Sequence, residues 1–269
     1  MNLRAFGRDL AAYSLSPWPV SQRIKAAALL LLHRFNRWSG LGFKTSQVLT
    51  IQERRRPLTI AMRMDTDDFF AFQEIFVDRY YDDPPGEPAT ILDLGANCGY
   101  ATLLFARRYP DAQIASLEPH AANVSALRRN LALNGVDARV IAGAAAREDG
   151  PVVLHVSTSL SHTLAAEGPV DSAKGLIVDG WSVPTLMRRL GWDRIDLLKI
   201  DIEGYESVLF AGRPTWLTLV SRIIGEVHDG YGFEALCHDL APLGFSVSAL
   251  AHPRMFLAVR PEGRGLGAL

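Results

Sequence analysis

An α/β fold built on an open, mostly parallel sheet is what this sequence predicts, and three observations carry that prediction. From residue 88 onward, strand-length apolar runs alternate with segments of helical period. A glycine-containing turn, Gly95 to Gly99, joins the first of these strands to the first helix. An acidic residue, Glu118, closes the second strand roughly 20 residues later, the spacing at which dinucleotide-type folds meet a ribose.

The elements follow in order. Residues 1 to about 45 read as helical pieces broken at Pro17 and Pro19 and again at Gly40 and Gly42. Two short strands are expected at 47–52 and 58–62, joined by Arg54, Arg55, Arg56 and Pro57, a run read as a solvated turn. Residues 66–80 carry a helical apolar face of Phe69, Phe70, Phe72, Ile75 and Phe76, with Asp65 as the expected N-cap. The turn-rich stretch 82–88 is taken as a boundary between an N-terminal extension, 1–87, and a nucleotide-binding domain, 88–269.

Beyond it, strands are expected at 90–94, 113–117, 138–142, 195–200 and 222–227, and helices at 100–108, 121–134, 183–190 and 233–240, with a short one from Tyr205. Gly135 ends the second of these helices. Residues 152–156 read as a β segment outside the parallel order. The closing strands, 245–251 and 256–259, lie too close in sequence for a crossover and so must be antiparallel.

Composition narrows the class. The chain has 269 residues, 48% hydrophobic and 21% charged, with a formal net charge of −1. That balance gives no electrostatic reason to expect a nucleic acid as partner. Cys98 and Cys237 have no metal-ligand spacing, and two isolated cysteines fit a reducing, cytoplasmic setting. The apolar run 26–32 is too short to span a bilayer, which takes about 20 residues. A membrane-surface role for residues 22–38 stays open as the lesser alternative to packing on the main domain.

Four stretches carry chemistry. In Asp93-Leu94-Gly95-Ala96-Asn97-Cys98-Gly99-Tyr100, the glycines let the backbone turn sharply and approach a ligand. The pattern is not G-x-G-x-x-G, and a carboxylate at Asp93 would repel a pyrophosphate. It suits a ligand carrying an ammonium and a sulfonium, S-adenosylmethionine (SAM), over a nicotinamide dinucleotide. Glu118, in Ser116-Leu117-Glu118-Pro119, has two oxygens to accept both hydroxyls of a ribose. In Lys199-Ile200-Asp201-Ile202-Glu203-Gly204-Tyr205-Glu206, a buried strand delivers Asp201 and Glu203 to the cofactor end of the sheet, with Lys199 on the same face as Asp201. These two acids are candidates for the methionine end of SAM, for the acceptor, or for a divalent metal. In Gly225-Glu226-Val227-His228, Glu226 and His228 alternate onto one face, and His228 is the first choice of base for a hydroxyl acceptor. His162 lies in a polar loop suited to cover an acceptor, and His120 is a weaker neighbour of the adenosine site.

With Phe72-Gln73-Glu74-Ile75-Phe76 and Tyr81-Asp82, these stretches resemble the FkbM family of SAM-dependent methyltransferases over about residues 66–260. The resemblance implies a Rossmann-like class I methyltransferase fold, a mostly parallel seven-stranded sheet with an antiparallel last strand. It also implies O-methylation of a hydroxyl on a sugar, glycan or secondary metabolite. By position, Asp93, Gly95, Asn97, Gly99 and Tyr100 would line the SAM site, with Glu118 and Pro119 at the ribose. Asp201 would serve both cofactor and catalysis, and Glu203, Glu226 and His162 the acceptor. Residues 142–145 offer no side-chain partner for an adenine amino group, so backbone near Ala144 must serve. A homodimer stays open. The alternatives are a SAM-binding protein without catalysis and a nicotinamide-dependent oxidoreductase.

Overall fold

A computed structural model describes residues 18–39, 45–53, 56–82, 84–156, 162–164, 175–228 and 230–261. Helix α1 (Val20–Ser39) starts behind Pro19, whose carbonyl accepts from the backbone N–H groups of Gln22 and Arg23. Ala26, Leu29, Leu30, His33 and Asn36 recur at helical spacing and are all buried on one face. Strands β1 (Ser46–Glu53) and β2 (Arg56–Arg63) form an antiparallel hairpin beneath it.

The expected helix over 66–80 is the first correction. Only Asp68–Phe72 is α-helical (α2), and Gln73–Val77 continues as a π-turn in which Asp78 N–H donates to Gln73 at 2.8 Å. Asp65 does not cap it. The N-cap position is Asp67, with no side-chain cap bond, and Thr66 Oγ1 accepts from Asp68 N–H instead. Apolar periodicity cannot tell an α-turn from a π-turn, because one inserted residue leaves the flanking faces in place.

The main sheet has seven strands in the order β12-β13-β11-β10-β3-β4-β5. They are β3 (Thr90–Leu94), β4 (Gln113–Glu118), β5 (Arg139–Ala142), β10 (Leu197–Ile200), β11 (Arg222–Glu226), β12 (Ser246–Ala249) and β13 (Met255–Val259). The five strands β5, β4, β3, β10 and β11 run parallel. The last strand, β13, enters antiparallel between β11 and β12. The central strands are buried on both faces, which is why their sequences are continuous apolar runs.

Two core clusters cover those faces. One gathers α1, the hairpin, α2, α3 (Tyr100–Arg108) and α4 (Ala121–Asn134). The other gathers α5 (Val183–Leu190), α6 (Glu206–Phe210) and α7 (Phe233–Leu240). Residues 152–156 fall, as read, outside the parallel order. They belong to β7 (Gly150–Val156), in a second sheet with β6 (Ala144–Ala146), β8 (His162–Leu164) and β9 (Leu176–Ser182). Ser182 caps α5, accepting from Thr185 N–H, and Gly135 and Gly191 close α4 and α5 in the left-handed conformation.

Candidate active site

In an open α/β sheet, the strands' carboxyl ends and the loops leaving them form a crevice. Here β3, β4, β5 and β10 end around one cleft with two compartments. The first is bounded by Gly95 and Asn97 after β3, Leu117 to Pro119 at the end of β4, Gly143 to Ala145 after β5, and Asp201 to Glu203 after β10. The second opens on the far side of Gly95, Asn97, Asp201 and Glu203, which line both. Its remaining walls come from α2 and the π-turn, from Tyr81 and Lys199, from Glu226 and His228, and from Arg254.

The turn after β3 is shaped by steric necessity. Gly95 has φ +78°, and a Cβ there would lie 1.8 Å from the Asp201 carbonyl oxygen. Two backbones therefore touch at the point where the compartments meet. Asn97 takes φ 49°, a conformation asparagine tolerates better than most residues. Its N–H donates to Glu118 Oε2 at 2.8 Å. Glu118 Oε1 accepts from His120 N–H at 2.9 Å and from Asn123 Nδ2 at 3.1 Å. Burial pushes the Glu118 carboxyl up, and those bonds pull against it. The carboxylate is thus fixed in orientation, with both sites of Oε1 used and one on Oε2 left to accept from a ligand. Asn123 is a lining residue the sequence reading missed. It lies one turn into α4, where only the fold turns it toward the cleft.

Asp93 corrects the reading of the first motif. It is fully buried and lines neither compartment. Its Oδ2 accepts from Thr102 Oγ1 at 2.7 Å, and its Oδ1 stands 3.2 Å from Lys199 Nζ. A carboxylate neutralised behind the turn does not repel a ligand in front of it. Gly99, at φ +89°, packs against Leu127 at the start of α3 and also lines neither compartment. Tyr100 lines the second compartment, but its hydroxyl is committed to the Ala61 carbonyl at 3.0 Å. Pro119 and Ala144 do line the first compartment. His120 contributes its backbone N–H to Glu118 and is not a wall of either compartment.

The charges of the second compartment centre on Asp201. Lys199 Nζ lies 3.8 Å from its Oδ2 and donates to the Gly95 carbonyl at 2.7 Å. Burial lowers the Lys199 pKa, but Asp93 and Asp201 more than compensate and hold it above the ordinary value. Tyr81 OH donates to Asp201 Oδ2 at 3.2 Å. Glu203 follows at φ 56°, a strained backbone for glutamate of the kind found at functional positions. Burial and the neighbouring Asp201 push its carboxyl up to about 7, against the pull of His228. Glu74 is pushed up to about 8 by burial and then by Asp201, Glu226 and Glu203. Glu226 is raised by burial and Asp201 and restrained by Arg254, whose Nε is 2.8 Å from its Oε1.

His228 is held by Glu206, a buried residue of the third motif for which the sequence offered no role. Glu206 Oε1 accepts from Ile202 N–H at 3.0 Å and from His228 Nδ1, also at 3.0 Å. An ionised carboxylate only accepts, so Nδ1 carries the proton and Nε2 faces the cleft. Nε2 lies 3.7 Å from Asp201 Oδ1 and 3.6 Å from Glu203 Oε2. Burial lowers the imidazole pKa, but the bond to Glu206 and the charges of Glu206, Asp201 and Glu203 outweigh it and bring it to about 9. Asp201, Glu203 and His228 also present one ligand atom each within 4.8 Å of one another, a donor set of metal-ligating type. His162 lies on β8, and its side chain is outside the described residues.

Comparisons with known proteins give the family. The profile of the Methyltransferase FkbM domain matches residues 93–261. The chain is similar to Methyltransferase 1 of Beauveria bassiana (strain ARSEF 2860), 29% identical over 203 residues, covering 66% of this chain and 81% of that protein. It is similar to Methyltransferase sdnD of Sordaria araneosa, 30% identical over 209 residues, covering 63% of this chain and 80% of that one. The crystal structure of Methyltransferase FkbM from Methylobacillus flagellatus KT superposes with a TM-score of 0.46 at 12% identity, over 67% of this chain and 46% of that chain. This chain therefore spans less than half the length of that solved protein. With the profile matching more than half of its residues, the chain belongs to the FkbM family of methyltransferases.

Proposed function

We propose that this methyltransferase uses SAM and methylates a hydroxyl of a sugar, glycan or secondary metabolite. One observation carries the reading: a single cleft has a fixed carboxylate at one end, His228 at the other, and the Asp201–Glu203 pair between them. Glu118 fits a ribose diol, and Leu117, Pro119, Ala144, Ala145 and Leu154 make an apolar slot for a planar base. Asp201 and Glu203 suit a cationic ligand group and disfavour a pyrophosphate, the part the sequence reading had given to Asp93. SAM, when bound, supplies a methyl group on a sulfonium.

The chain's own residues do the rest. The shared wall of Gly95, Asn97, Asp201 and Glu203 is where a cofactor on one side and an acceptor on the other come into line, and such placement is a large share of the rate. His228 Nε2 takes the acceptor's proton, with Glu206 fixing the tautomer and stabilising the imidazolium. Only the neutral imidazole accepts, so turnover rises with pH toward about 9. A second reading has Asp201, Glu203 and His228 hold a divalent cation that polarises the acceptor oxygen, favoured by the closeness of their ligand atoms.

The test is calorimetric titration with SAM and S-adenosylhomocysteine, followed by an acceptor screen beginning with sugars. Expected are binding of both compounds and its loss in Glu118→Ala. His228→Ala should lower kcat by about 10²–10⁴-fold while leaving cofactor affinity nearly unchanged. Equal losses in both would make His228 structural, and absence of cofactor binding would sink the proposal. Dialysis against EDTA leaves turnover intact if His228 is the base. Loss restored by magnesium or manganese would favour the second reading.

A further inference from the structure

Helix α1 has two apolar faces, and the fold uses one. Ala26, Leu29 and Leu30 pack inward. On the other side Val20, Ile24, Leu31, Phe35 and Trp38 are 67%, 65%, 53%, 48% and 80% exposed. At 3.6 residues per turn these five fall within about 60° of arc, a single stripe opposite the buried face. Phe35 and Trp38 contact each other at its end, with ring centroids 6.2 Å apart. Scattered exposed apolar residues are ordinary on a protein surface, whereas a continuous stripe marks something that covers it.

The charge of the chain says what that is. Residues 1–64 hold eleven Lys and Arg against two Asp and Glu, a formal +9, and residues 65–269 hold seventeen against twenty-seven, a formal −10. The near-neutral total conceals a strongly basic N-terminal part on an acidic body. Within α1, which has no carboxylate, Arg23 and Arg34 fall beside the stripe at helical spacing, while Lys25 donates to the Val48 carbonyl.

We propose that α1 seats the protein on an anionic lipid surface, with the stripe in the interfacial layer and the flanking basic residues at the headgroups. A basic amphipathic helix with aliphatic and aromatic residues on its free face is the chemistry such surfaces select. A nucleic acid would match the charge and leave the aliphatic stripe without a partner. A second copy of the chain would match the stripe but bring two strongly basic parts together, which like-charge repulsion opposes. The helix also adjoins the catalytic cleft. His33 of α1 meets Phe70 edge-on at 5.2 Å, and Phe70 lines the second compartment. The inference does not depend on which acceptor is methylated.

Flotation of the full chain with vesicles tests it. Expected is binding to phosphatidylcholine vesicles containing phosphatidylglycerol, at least about tenfold stronger than to phosphatidylcholine alone, and weakening as salt rises. Ile24→Ser/Phe35→Ser/Trp38→Ser should lower that binding at least about tenfold, with unchanged circular dichroism and SAM affinity, since all three side chains are exposed. Arg34→Gln should lower it as well and flatten the salt dependence. Equal binding to neutral vesicles, or none to either, overturns the proposal. So does a concentration-dependent dimer in ultracentrifugation that the triple variant abolishes, or nucleic-acid binding that the triple variant leaves untouched.

Discussion

Lys199 is 2% exposed and stands between two carboxylates, one fully buried at Asp93 and one half-buried at Asp201. The strand register sets Lys199 directly beside Asp93 on the neighbouring parallel strand. Removing Asp93 leaves the buried ammonium answered only by the longer, partly exposed contact to Asp201. Asp93→Asn should therefore lower the unfolding free energy by about 3–5 kcal/mol in urea titrations. Asp201→Asn, at the cleft surface, should cost less stability and more turnover. Native stability in Asp93→Asn with cofactor affinity gone would mean that Asp93 meets the ligand directly. The alternation of a strand made Lys199 and Asp201 neighbours in the sequence reading. It carried no information on Lys199 and Asp93, which only the pairing of β10 with β3 brings together.

At the level of elements, the π-turn Gln73–Val77 forms one wall of the second compartment. It interrupts the helical ladder where Glu74 lines the cavity, facing the carboxylates of Asp201, Glu203 and Glu226. Those neighbours give the site a pH dependence whose sign can be worked out. Glu74 titrates near 8 when folded against an ordinary 4.5, so between those values the native protein holds a proton that the unfolded chain has lost. Its stabilising contribution is complete below 4.5 and disappears as pH rises through about 8. Glu203, raised to about 7, acts in the same direction. His228 does too, since its contribution is present below 6.5 and lost as pH rises through about 9. The thermal midpoint should fall from weakly acid to alkaline pH, and Glu74→Gln should flatten that fall and raise the midpoint near pH 8. Identical slopes in the variant and the wild type would remove Glu74 from this account.

Across the whole molecule, the hairpin is joined to the methyltransferase domain by side chains that imitate a strand. Asn130 of α4 accepts from Ala61 N–H at 2.7 Å and donates to the Ala61 and Cys98 carbonyls at 3.2 and 2.9 Å. Asn134 accepts from Thr59 N–H at 2.8 Å and donates to its carbonyl at 2.7 Å. Two amides thus occupy the free edge of β2, a row of backbone groups that would otherwise invite another chain. Because Cys98 lies in the turn lining the cleft, the same contact ties the hairpin to the site. Asn130→Ala, which strands buried backbone groups, should cost roughly 2–4 kcal/mol and weaken cofactor binding. An unchanged unfolding curve would show that water replaces the amide without loss.

What the sequence determined by itself was local and periodic. Continuous apolar runs identified the buried strands, helical spacing the covering helices, and short closing loops the antiparallel end of the sheet. The glycine turn, Glu118, and the alternation of Glu226 with His228 located the cleft, because a strand end and its register can be read along one chain. What only the tertiary structure decided depends on residues far apart in sequence. Those decisions are that Asp93 answers Lys199 behind the turn, that Glu206 orients His228, and that Glu74 and Asn123 reach the cleft. A periodic pattern states which face a side chain occupies. It does not state what stands opposite, and at this site the opposite groups set both the charges and the geometry.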